Sequence, residues 1–255
     1  MKKILVILFT LAMLTACGSK PNTDTANETF KDELIAENTV IIGTSPDYPP
    51  YESLDSSTKE LVGFDIDLMN AIVAKLGEEY KVEWRQMEFD TIISSVQTKQ
   101  IDLGVSGFSY DPEKQVLFSD PYHHAGQTVL VKKDSNIHSA QDLNGKLIAA
   151  QIGTTCLDLA KTIEGAEVAT ATDAKVLVEA LKTGAYDGVV LDTTVANSYV
   201  LNNSELAVLD EELASDEYCI ISTKDNDKLI AKLNEILAEF VQSEEYNALL
   251  EKWGI

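Results

Sequence analysis

The chain has 255 residues, 45% of them hydrophobic, which is enough for a sizeable core and, by length, for one or two domains. Its 42 acidic residues against 20 basic ones leave a formal charge of −22. A surface of that sign repels phosphate backbones and anionic headgroups, which excludes nucleic acid as a bulk partner but leaves room for a local cationic site.

The first segment, MKKILVILFTLAMLTACGSK, has a basic start at Lys2 and Lys3 and an apolar run from Ile4 to Leu14. The run falls short of the roughly 20 apolar residues that a spanning helix needs and has the shape of a secretory signal. Leu14-Thr15-Ala16-Cys17 resembles a bacterial lipobox, in which the cysteine carries a diacylglycerol and becomes the new N-terminus. The expectation is a signal peptide over 1–16, a lipidated Cys17 and a flexible tether to residue 38. Its stretch GSKPNTDTANET, residues 18–29, has almost nothing to bury. This would anchor the body on the extracytoplasmic face of the cell membrane, since two or more acyl chains hold where one is marginal.

From residue 39 the pattern alternates. VIIGTS (40–45) reads as a strand, GFDIDLMNAIVAKLG (63–77) as a helix stopped at Gly77, and YKVEWRQ (80–86) as a strand. FDTIISSVQTKQ (89–100) reads as a helix and IDLGVS (101–106) as a buried strand. This βαβαβ order predicts a parallel sheet covered by helices. A second series follows: strands QTVLVKK (127–133) and KLIAAQIG (146–153), a helix from Thr154, a helix over 173–184, and the strand YDGVVLD (186–192). SSVQTKQIDLGVSG and EALKTGAYDGVVLD echo each other, consistent with two α/β lobes, and two amphipathic helices close the chain at Trp253.

Ligands of open parallel sheets sit beyond the carboxyl ends of the strands. There this chain collects TSPDY (44–48), VSGFS (105–109), IGTT (152–155) and LDTT (191–194). Gly107 and Ser109 offer amides and a hydroxyl, Lys114 a charge just beyond, and Thr154-Thr155 a helix start, where an anion is favoured. Asp192, a lone acid ending a buried strand, suits an ammonium, and Tyr48 and Phe89 are placed to flank a side chain. Each has a plain structural alternative: Lys114 as a solvated lysine, Asp192 as a helix cap, the aromatics as core. Together they describe a zwitterion, most simply an α-amino acid.

At these residues the chain resembles the solute-binding proteins of polar amino acid ABC transporters, relatives of the glutamine- and histidine-binding proteins. The resemblance spans nearly all of 39–254 and is carried by GTSPDYPPYE, LVGFDIDL, QTKQIDLGVSGFSYDPEKQVLFSDPY, IGTT, YDGVVLD and EYCIIS. It implies a two-lobed Venus-flytrap fold of the type II periplasmic-binding-protein kind, α/β with a parallel or mixed sheet in each lobe. Lobe one would be 39–125 plus 220–255 and lobe two 126–219. It further implies a monomeric receptor, without cofactor or metal, that hands an amino acid to a membrane permease. The ligand ammonium would meet Asp192, Ser109 and the carbonyl of Gly107. Its carboxylate would meet Ser109, Thr155 and Lys114, with Tyr48 and Phe89 beside its side chain and Cys156 close by. Lys114 stands where the family usually has arginine, so the bidentate fork is lost. Ser45 stands where some binders of cationic amino acids have an acid, which weakens the case for such a ligand and leaves it open.

With Cys17 lipidated, Cys156 and Cys219 remain, either as one disulfide or as two buried thiols. His123, His124 and His138 do not end strands, and no HxxxH or CxxC spacing occurs. That argues against the two rival readings that need such chemistry, a metal site and a dehydratase-like enzyme of the same fold. A sensor subunit working through a membrane kinase is the other alternative.

Overall fold

The structure, a computed structural model, describes residues 38–255. The lipobox, Cys17 and nearly all of the tether therefore lie outside the described residues. The first part runs β1 (Thr39–Thr44), three short strands β2 (Asp47–Tyr48), β3 (Glu52–Leu54) and β4 (Leu61–Val62), α1 (Phe64–Ala74), β5 (Lys81–Gln86), α2 (Phe89–Gln97) and β6 (Leu103–Ser109). Strands β6 and β5 flank β1 and both run parallel to it, as the βαβαβ pattern predicts. The predicted helix over 63–77 ends earlier, at Ala74, with Lys75 as its cap.

The chain continues through β7 (Leu117–Phe118) and the long β8 (His123–Lys132), then β9 (Leu147–Gln151), α3 (Thr155–Thr162), β10 (Glu167–Ala171), α4 (Ala174–Lys182) and β11 (Gly188–Asp192). Next come α5 (Thr193–Asn202), β12 (Leu206–Val208), β13 (Ala214–Ser222), α6 (Asp227–Phe240) and α7 (Glu244–Trp253). Strands β10, β9 and β11 form a second parallel group. All five residues of β11 are buried, the pattern of a parallel strand covered on both faces.

The two groups share one mixed sheet of order β10-β9-β11-β8-β13-β6-β1-β5. The antiparallel strands β8 and β13 join its halves. β13 pairs with β8 from Ala214 to Tyr218 and with β6 from Tyr218 to Ser222, so Tyr218 sits where it passes from one neighbour to the other. β8 begins at His123, four residues before the expected strand start, because its first residues pair with Glu217 and Tyr218 of β13. Helices bury regular apolar faces against the sheet: Leu177, Val178 and Leu181 on α4, and Leu229, Leu233, Ile236 and Leu237 on α6. Each such side chain contributes about 1.5–3 kcal/mol on leaving water.

Candidate functional site

One wall of the site forms where β1 and β6 end. Ser106 Oγ donates to Glu52 Oε1 at 2.6 Å and accepts the main-chain N–H of Ser45 at 3.3 Å. Glu52 lies against Asp65, which also accepts Tyr122 OH at 2.8 Å and the N–H of Gly107. Burial, with the Asp65 charge beside it, raises the Glu52 carboxyl well above its ordinary range. The strand end is thereby fixed from beneath. Gly107 has φ +62, and a Cβ there would come within 3.1 Å of the Tyr218 ring; only glycine lets that ring lie under the strand. Beyond Ser109 the Asp111 side chain accepts the N–H of Glu113 at 2.9 Å, shaping the turn that presents Lys114. Lys114 is half-buried, and its ammonium has no carboxylate partner among the described residues.

The facing wall forms where β9 and β11 end. Thr154 caps α3, its Oγ1 accepting the N–H of Leu157 at 3.2 Å. Thr155 Oγ1 donates to Asp216 Oδ2 at 2.6 Å and accepts Gln127 Nε2 at 2.8 Å. That hydroxyl is committed within the protein, so Thr155 offers an anion its main-chain N–H at the helix start. Asp192 occupies the N-cap position of α5, yet its side chain makes no capping bond. The carboxylate points away and accepts Tyr48 OH at 2.9 Å, Tyr218 OH, and the Cys156 thiol at 3.7 Å. Only 5% exposed, it is pushed by burial to a pKa of about 6 even though Tyr218 and Tyr48 pull it down.

The two walls close on a small cavity whose free volume, about 20 Å³, is little more than one water needs. All eight residues expected from the sequence line it: Tyr48, Phe89, Gly107, Ser109, Lys114, Thr155, Cys156 and Asp192. Phe89 is backed by Phe108, stacked at 4.8 Å. Polar residues outside those eight also line it: Asp47, Ser106, Gln151 and Thr154. Gln151 Nε2 donates to Asp47 Oδ2 at 2.8 Å, and the N–H of Ala174 donates to the same oxygen at 2.7 Å. Tyr199 OH donates to the Asp47 carbonyl at 2.9 Å. The walls are thus bonded to each other at both Asp47 and Tyr48.

Cys156 and Cys219 are separate buried thiols, which decides between the two expectations for them. None of the three histidines lines the cavity. His123 packs among Tyr51, Phe64 and Tyr218, and burial lowers its pKa to about 4. Among the described residues no group of three or more His, Cys, Asp or Glu side chains could hold a metal.

A mixed two-part α/β sheet with a closed cavity at its strand ends is the architecture of a solute-binding protein, and comparison with known proteins bears this out. The chain belongs to the bacterial extracellular solute-binding proteins, family 3, whose model matches residues 40–255. It is 33% identical to the arginine-binding extracellular protein ArtP of Bacillus subtilis, over 99% of this chain and 98% of that protein. It is 29% identical to the ABC transporter glutamine-binding protein GlnH of the same organism, over 99% and 97%. Among solved structures it resembles an ancestral arginine-binding protein bound to arginine, with a TM-score of 0.79 and 38% identity over 85% of this chain and 98% of that one.

Proposed function

We propose that this chain is an extracytoplasmic receptor that closes on a free α-amino acid and delivers it to an ABC transporter permease. The observation that carries the reading is a pair of opposite charges in one enclosed cavity. Asp192 lies on one wall, and the Lys114 ammonium stands on the other with no protein carboxylate against it. The ligand's ammonium pairs with Asp192, beside the Ser109 hydroxyl and the Gly107 carbonyl. Its carboxylate takes Lys114, Ser109 and the amide of Thr155. Tyr48, held by Asp192, and Phe89, backed by Phe108, flank the side chain, with Cys156 at its edge.

Closure divides the chain into lobe one, 39–125 plus 220–255, and lobe two, 126–219, hinged through β8 and β13. The receptor works as a monomer, tethered to the membrane through a lipid on Cys17, and binds without turnover. Calorimetry with the twenty amino acids, followed by a check that each is recovered unchanged, tests both binding and the absence of catalysis. Asp192→Ala is expected to weaken the tightest ligand tens-fold or more, because stripping one partner from a buried charge pair costs about 2–5 kcal/mol. Unchanged affinity in that variant refutes the assignment.

A further inference from the structure

A neutral amino acid would leave the charge of this cavity unbalanced. Asp47 and Asp192 both line it, and among the lining residues Lys114 is the one cation. In the reading above, a ligand's own ammonium and carboxylate match Asp192 and Lys114 and add no net charge. Asp47 then remains a carboxylate 4% exposed and facing no cation within the cavity. Its bonds come from neutral donors: Ser45 Oγ at 2.9 Å, Gln151 Nε2 at 2.8 Å and the N–H of Ala174 at 2.7 Å. A carboxylate has about four acceptor positions, so one stays free for a ligand.

Lys175 is a protein cation that acts on Asp47, from outside the cavity. Its ammonium donates to the Pro46 carbonyl, and Lys175 lines with Asp47 an outer pocket that also holds Glu88 and Asp173. Burial raises the Asp47 carboxyl ahead of the hydrogen bonds from Ala174 and Ser45 that oppose it, and the nearby Asp173 charge raises it further, ahead of the opposing pull of Lys175. A cation brought into the cavity would relieve both.

We propose that Asp47 is a specificity-determining residue that selects α-amino acids with a cationic side chain. The inference rests on the amino acid reading of the cleft. Position 45 itself carries no charge, but the Ser45 hydroxyl orients the acid two residues on.

Asp47 also bonds the two walls together, so the test must separate charge from closure. L-arginine and L-citrulline differ by a guanidinium against a neutral ureido group and are titrated calorimetrically into each protein. Wild type is expected to prefer arginine roughly tenfold or more, the worth of a charge-assisted hydrogen bond. In Asp47→Asn the amide oxygen can still accept from Gln151 and Ala174 and its NH₂ can donate to Ser45. Only the charge is lost, and the preference should fall at least about fivefold. Gln151→Leu keeps the charge and removes a bond between the walls; both ligands should weaken by the same factor. Citrulline bound as tightly as arginine by wild type, or a preference that survives in Asp47→Asn, overturns the proposal. A wild type that binds only neutral amino acids overturns it while leaving the receptor reading intact; one that binds no amino acid overturns that reading too.

Discussion

Asp192 is held ionised at a cost to folding. Three neutral donors solvate it, yet burial leaves its pKa near 6 against an ordinary 3.8. The native state therefore binds this proton more readily than the unfolded chain, so stability falls as pH rises from about 4 through 6. Above that window the ionised group costs on the order of 3 kcal/mol. Asp192→Asn should accordingly be more stable than wild type at pH 8, by about 1–3 kcal/mol in urea unfolding, with the gain shrinking toward pH 4. It should also bind no ligand tightly. Wild-type affinity should fall as pH drops below about 6 and the partner of the ligand ammonium is protonated. A variant that is both less stable and still able to bind would contradict this. On the opposite wall, Lys114→Ala should weaken binding about tenfold, and Lys114→Arg should keep or tighten it, since a guanidinium adds a second hydrogen bond. If Lys114 were only a solvated lysine, calorimetry would find both changes silent.

The elements that hold these residues were partly legible beforehand. The run β1-α1-β5-α2-β6 announces itself through apolar periodicity, and its strand ends hold the small and hydroxylic residues that line the cavity. Strand β13 did not stand out, because its first half, ASDE, is half-exposed and acidic and becomes a strand only by pairing with β8. Strand β10, EVATA, has no buried residue to mark it. Asp47 escaped notice for a related reason: its partners Gln151 and Ala174 lie 104 and 127 positions away, and nothing local distinguishes it from a turn aspartate. Tyr218 likewise reaches Asp192 only because Gly107 leaves space for its ring. That dependence can be tested. Gly107→Ala forces a Cβ to 3.1 Å from Tyr218 at a positive φ and should cost about 1–3 kcal/mol of stability in urea unfolding. Binding should weaken as well, since the tyrosine that aims Asp192 is displaced. Wild-type stability and affinity in this variant would remove Tyr218 from the account.

Taken whole, the molecule is a sheet in two parts, bridged by β8 and β13, with Asp47, Lys114 and Asp192 gathered at the cavity where the parts meet. Ligand binding should therefore stabilise the entire fold: at one hundred times Kd a thermal scan should show a gain of roughly 2.7 kcal/mol. The proposed anchor is tested apart from the cleft. Wild-type protein in its host should fractionate with membranes, and Cys17→Ala should be released or remain unprocessed; a variant that is processed and fractionates normally would argue against lipidation. The central claim, that the cleft grips both ends of a free amino acid, is tested most directly by titrating the tightest ligand beside its carboxamide and its Nα-acetyl derivative. Facing Lys114 and Asp192, each modified ligand should bind at least about tenfold more weakly than the free amino acid. Equal affinities for all three would contradict the account.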